Sequence, residues 1–141
     1  MAATETKREM LRAISLFETL SDRELAAVEQ LVDTVDVPAG HVLMRQGASG
    51  GEMFVIATGG VVVDRDGHEV ATLGPGSVVG EMALISEGPR TATVTTTEPS
   101  TLFVLAHREF HSLMDASAEV RDCVFKAVAH RIREVEADHA H

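Results

Sequence analysis

The residues best placed to do chemistry form one run, Val79-Gly80-Glu81-Met82-Ala83-Leu84-Ile85-Ser86-Glu87-Gly88-Pro89-Arg90-Thr91-Ala92-Thr93-Val94. Glu81 to Ile85 has room for about one helical turn, opened by a glycine and closed by a Gly-Pro break. A turn of this kind set between strands gathers free backbone N–H groups and the positive dipole end at one spot, which suits an anion. Gly80 lets the backbone approach closely, with no Cβ in the way. Arg90 supplies a fixed cation with two parallel donors for phosphate oxygens, each charge-assisted bond worth roughly 1.5–3 kcal/mol. Glu81 cannot favour a phosphate, but its carboxylate accepts a hydrogen bond from a sugar hydroxyl. Cation, acceptor and bare amides together ask for a phosphorylated sugar. A structural salt bridge within a strand–turn–strand would use the same two charges.

The elements that must position this run are legible on both sides of it. Met10, Leu11 and Ile14 recur at helical spacing, and Ser21-Asp22-Arg23-Glu24 reads as a capping box opening a second helix. Leu25, Val28, Leu31 and Val32 give that helix one apolar face. From Thr34 the period becomes two, with β-prone runs at 34–37, 41–46, 52–58, 61–65, 68–73, 91–96 and 101–106. Glycines and Pro-Gly turns separate them, and Asp66-Gly67 is a tight-hairpin signal. Many short strands of this kind predict an antiparallel β jelly-roll barrel, in a mainly β fold with flanking helices. After Ala106 the helical period returns, as a short helix over 107–115 and a long one over about 116–138. Val120, Val124, Val128, Ile132 and Val135 form a single stripe on the latter, able to pack on the barrel or to pair with a second copy.

Composition bounds the partners. A chain of 141 residues fits a single domain. Its net charge of −10 and five Phe as the only aromatics leave neither a basic stripe nor stacking rings for nucleic acid. A small anion can still bind, because a pocket field overcomes the overall sign within about a Debye length, ~8 Å. Cys123 is the single cysteine, so no internal disulfide forms; no signal-like or membrane-spanning run is present, and a cytoplasmic location is expected. His107 and His111 have the i, i+4 spacing of metal ligands, but the Glu that a zinc protease needs is missing and no third ligand is evident. No metal is expected. His139-Ala140-His141 reads as a frayed tail, and Cys123 as an inert buried thiol. No nucleophile elbow, zinc set or kinase motif appears, so no enzyme is expected.

The run 79–94 resembles the phosphate-binding cassette of the cyclic-nucleotide-binding domains found in the bacterial catabolite activator family, cyclic-nucleotide-dependent kinases and cyclic-nucleotide-gated channels. Gly80-Glu81-Met82-Ala83-Leu84 and Pro89-Arg90-Thr91-Ala92-Thr93-Val94 both match. So do Leu16-Phe17 with Leu20-Ser21, Pro38-Ala39-Gly40, Gln46-Gly47, and the Phe54-Val55-Ile56 strand ending at Gly60. The resemblance covers about residues 15–136. It implies that Glu81 holds the ribose 2′-hydroxyl, while Arg90 and backbone N–H groups near Ala83 and Thr91 hold the cyclic phosphate. Gly80, Met82 and Ala92 complete the cassette's ligand contacts, and Val70 and Ala71 fall where the family places barrel residues near the base. The Thr91 hydroxyl meets phosphate or a purine edge. Two departures stand out: Val79 replaces the usual Phe, and Val135 and Glu136 stand where catabolite activators present hydroxyl residues to adenine.

The resemblance therefore implies a stand-alone sensor of a cyclic nucleotide, cAMP before cGMP, with a long C-terminal helix that signals to a partner or a dimer mate. Residues 1–141 are expected to form one such domain without a DNA-binding domain, and a homodimer would use residues 117–136. The rival expectation is a protein-interaction module that keeps the fold without binding nucleotide.

Overall fold

The computed structural model describes residues 2–85 and 88–139, with side chains over 7–85 and 88–129. Two compact units emerge: Leu31–His111, and a helical unit built from Met1–Gln30 with Ser112–His141.

The first unit is two four-stranded antiparallel sheets. Its strands are β1 (Asp33–Val37), β2 (Val42–Met44), β3 (Glu52–Thr58), β4 (Val61–Arg65), β5 (His68–Leu73), β6 (Val78–Val79), β7 (Thr93–Thr96) and β8 (Ser100–Ala106). One sheet runs β1-β8-β3-β6 and the other β2-β7-β4-β5. Chain neighbours cross from one sheet to the other except at the β4–β5 hairpin, as in a jelly roll. Phe54, Ile56, Val79 and Leu102 from the first sheet meet Val61 and Val94 from the second in one buried cluster. Burying each such side chain contributes roughly 1.5–3 kcal/mol, so this aliphatic seam holds the sheets face to face. The jelly-roll expectation stands. The strand runs read from the sequence lie within two residues of the observed strands at each end, β2 being trimmed at both ends. Val78–Val79 is an additional two-residue strand, paired to Val55 and Phe54.

Two local features bear on the site. Between β6 and β7 the chain makes a 3-10 helix, Glu81–Leu84, where one helical turn is expected. On β5 the ladder pairs Ala71 with Val63 and Glu69 with Asp64, leaving Val70 as the extra residue of a bulge.

The helical unit contains α1 (Ala2–Arg12), α2 (Asp22–Glu29) and α4 (Ala118–His139), while α3 (His107–Ala116) begins in the strand unit and ends here. Ile14 lies beyond α1, and Leu31 and Val32 beyond α2, so both helices are shorter than the apolar spacing suggests. Arg8 ties α1 to α2 through Glu29 at 2.7 Å. Arg12 donates to the Leu20 carbonyl and, at 2.8 Å, to the Asp22 carboxylate. The capping box forms as read: Ser21 Oγ accepts from the Glu24 N–H at 3.1 Å, and the Glu24 carboxylate accepts from the Ser21 N–H at 2.7 Å. On α4, Val120 and Val124 are buried and Phe125 is 56% exposed. The side chains of Ile132, Val135 and Glu136, and the tail His139-Ala140-His141, lie outside the described residues.

The bond from the Ser21 backbone holds the Glu24 carboxyl below its ordinary value. A lowered carboxyl pKa contributes stability that is present above the ordinary carboxylate range and is lost as pH falls through the lowered value. Glu24→Gln should therefore reduce the urea midpoint at pH 7, and the gap from the native chain should close by about pH 2. A gap that persists unchanged at acid pH would remove the charge from the explanation.

Candidate functional site

The described residues of 79–85 and 88–94 include one buried cation, Arg90. Arg90 is 9% exposed, the single arginine among the buried described residues. Its backbone is pinned first: the Arg90 N–H donates to the Ala48 carbonyl at 2.9 Å, and the Gly47 N–H donates to the Arg90 carbonyl at 2.8 Å. Arg90 Nη2 then donates to the Glu52 carbonyl at 2.8 Å, and the Glu52 carboxylate stands 3.8 Å from the same nitrogen. Burial pulls the guanidinium below its ordinary value, and Glu52 pushes it part of the way back. A guanidinium has five N–H donors. Among the described residues only the bond to Glu52 uses one.

Glycine makes room for this charge. A Cβ on Gly50 would lie 2.6 Å from Arg90 Nε, and one on Gly80 would lie 2.9 Å from Arg90 Nη1 and 2.7 Å from the Glu52 carbonyl. Gly80 also has φ +77°, the left-handed conformation that turns the chain from β6 into the 3-10 helix. The guanidinium thus lies between two stretches of bare backbone.

The 3-10 helix carries Glu81, Met82 and Ala83. Glu81 is half-buried, Met82 is 41% exposed, and Leu84 anchors the turn in the interior. The Ala83 N–H closes the turn on the Gly80 carbonyl at 3.0 Å. The Ala83 carbonyl accepts from His107 Nδ1 at 2.7 Å, which fixes the proton on Nδ1 because a carbonyl can only accept. The His107 N–H donates to the Gly51 carbonyl at 2.6 Å. A cavity of 460 Å³ is walled by Ser49–Gly51, Ala83, Gly88, Pro89 and His107. Glu81 and Arg90 are not in its wall, but Gly50 borders both the cavity and the guanidinium.

The other residues singled out in the sequence divide in two. Thr91 is exposed beside Arg90, and Ala92 is buried behind it. Val70 and Ala71 lie on β5, the outer strand of the second sheet, Val70 on its bulge and 51% exposed. Glu52 and His107 are parts of the site that sequence reasoning missed. Glu52 reads as the first residue of a strand, and its carbonyl carries no sequence signal. His107 draws notice in the sequence only for its i, i+4 spacing to His111, where no metal is expected; its ring lies 4.0 Å from that of His111, and its Nδ1 donates to the Ala83 carbonyl. Among the described residues no group of three or more His, Cys, Asp or Glu could hold a metal ion.

The chain belongs to the cyclic nucleotide-binding domain family, whose model matches residues 34–117. It is similar to a cyclic nucleotide-gated potassium channel of Rhizobium etli, 36% identical over 87% of this chain and 34% of the channel. It therefore spans about a third of that relative. Among solved structures, it superposes on the N-terminal domain of a transcriptional regulator from Streptomyces coelicolor with a TM-score of 0.83 and 30% identity, covering 92% of this chain and 94% of that one. The regulatory domain of Toxoplasma gondii PKA, crystallised with cAMP, gives 0.76 and 29%, covering 89% and 47%.

The two glycine requirements at position 80 can be separated. Gly76 has φ +89° and open space around its missing Cβ, so Gly76→Ala carries backbone strain alone. That variant should cost about 1 kcal/mol, and Gly80→Ala, which also collides with the Glu52 carbonyl, about 2–3 kcal/mol. Urea unfolding measures both. Equal losses would mean that the close packing around Arg90 contributes nothing.

Proposed function

We propose that this chain is a sensor module for a 3′,5′-cyclic nucleotide, cAMP in the first instance, and that it has no catalytic activity. The observation that carries the reading is Arg90: a cation drawn out of water, flanked by glycine backbone, with four of its five donors outside the described hydrogen bonds. A buried charge in that condition is costly, and an anion with several acceptor oxygens offsets the cost. A cyclic phosphate on Arg90 leaves Glu81 to receive the ribose hydroxyl, with Gly80, Met82, Ala83, Thr91 and Ala92 enclosing the sugar-phosphate. Val70 and Met82 are two of the four exposed large apolar side chains among the described residues, beside Val35 and Phe125. A purine laid across Val70 and Ala71 would cover part of that surface, although Thr91 suits either purine.

His107 gives the signal a route out. It grips the Ala83 carbonyl and opens α3, whose chain continues into α4. A nucleotide that binds one position of the cassette better than another shifts α3 and α4 by that difference in affinity. The helix would be read by a protein partner or by a second copy through residues 117–136, where Phe125 is exposed. No described helix is long and apolar enough to cross a membrane, and the function proposed suits the cytoplasm. Neither DNA nor a metal enters this proposal.

Titration calorimetry with cAMP and cGMP, paired with thermal melting, tests the reading. At a ligand level of 100 dissociation constants the bound state gains ~2.7 kcal/mol, which raises the melting temperature measurably. Arg90→Ala should remove most of the binding and Glu81→Ala should weaken it at least about tenfold, the loss of a charged hydrogen bond. No heat and no melting shift at millimolar nucleotide would favour the rival, an interaction module on the same fold. Binding that survives both substitutions would place the site elsewhere.

A further inference from the structure

Arg65 ends β4, and its Nε donates to the Thr91 carbonyl, one residue past Arg90, at 3.2 Å. Neither flanking acid forms an ion pair with it among the described residues. Asp66, the hairpin tip at φ +54°, instead accepts from Gln46 Nε2 at 2.7 Å and returns its own N–H to Gln46 Oε1 at 2.8 Å. Gln46 also donates its backbone N–H to Thr93 Oγ1 at 3.0 Å, next to the Gly47 bond to the Arg90 carbonyl. Hairpin tip, loop and the Arg90–Thr93 segment are thereby one hydrogen-bonded knot. Arg65 is exposed on it and pairs with no carboxylate among the described residues.

We propose that Arg65 is a second cation of the nucleotide site, a rim charge that draws the phosphate toward buried Arg90. The inference rests on the cyclic-nucleotide reading above. An anionic ligand approaches a chain of net charge −10, and a charge matters to it only within about a Debye length, ~8 Å. Arg90, enclosed and already facing Glu52, contributes after the ligand has entered. An unpaired exposed guanidinium one strand away acts before. Charges at the rim of a site govern association and its salt dependence, whereas buried partners govern dissociation. The two arginines thus divide the work, Arg65 in capture and Arg90 in retention.

Stopped-flow mixing of the intact chain with a fluorescent cAMP derivative, at about 20 and 300 mM salt, separates the two rates. Arg65→Gln should slow association about threefold at low salt, flatten its salt dependence, and change dissociation less than about twofold. Arg65→Lys, which keeps the charge but not the Nε donor, should restore most of the rate. If the native chain binds and Arg65→Gln associates at the native rate, the rim role is wrong and the nucleotide reading stands. If Lys is as slow as Gln, the Thr91 bond is what matters and the capture role is also wrong. A native chain that does not bind overturns both proposals together.

Discussion

Arg90 places a full positive charge where only 9% of the residue reaches solvent, and it is met there by one carbonyl and a carboxylate 3.8 Å away. Moving an ion out of water costs several kcal/mol even after relaxation, so its surroundings must be arranged for it. Gly50 and Gly80 remove the side chains that would fill its place, Ala48 and Gly47 pin its backbone, and Glu52 supplies both polar contacts. These residues come from the loop before β3, the turn after β6 and the segment entering β7. The barrel is what brings them together. Without the seam of Phe54, Ile56, Val61, Val79, Val94 and Leu102, the guanidinium would have no fixed cradle.

The same region joins the sheets to a short helix. The sheets are held by antiparallel ladders and an aliphatic interior. The 3-10 helix is held by its own turn, by buried Leu84 and by the bond from His107 to Ala83. α3 starts at the residue that makes this bond. The Ala83 carbonyl thus belongs to the turn at 81–84 and is also the acceptor for the first residue of α3.

Much of this was legible in the sequence because it rests on local rules. The Asp66-Gly67 hairpin, the Ser21–Glu24 capping box and the turn at Glu81 follow from positive-φ tolerance, from end-capping and from glycine punctuation, all within a few residues. Glu81 and Arg90 stood out because their chemistry is written in their side chains. Glu52 and His107 did not, for the opposite reason. The partner of Arg90 is chiefly a backbone carbonyl 38 residues away, and that of His107 is another 24 residues away. No residue type announces a carbonyl. Val78–Val79 was likewise silent, since two valines become a strand only when β3 lies beside them. The helix ends at Arg12 and Glu29 fell short of their apolar spacing because Ile14 is buried in the turns after α1, and Val32 in the link to β1, without continuing either helix.

What distinguishes a ligand site from a structural ion pair is whether the donors of Arg90 belong to the fold or to a guest. A crystal structure of the chain with cAMP answers this most directly. The predicted result is a cyclic phosphate within hydrogen-bond distance of the Arg90 guanidinium, the ribose 2′-hydroxyl on the Glu81 carboxylate, and Gly80 still left-handed. A nucleotide bound elsewhere, with Arg90 unchanged against Glu52, would contradict the assignment and return Arg90 to the architecture alone.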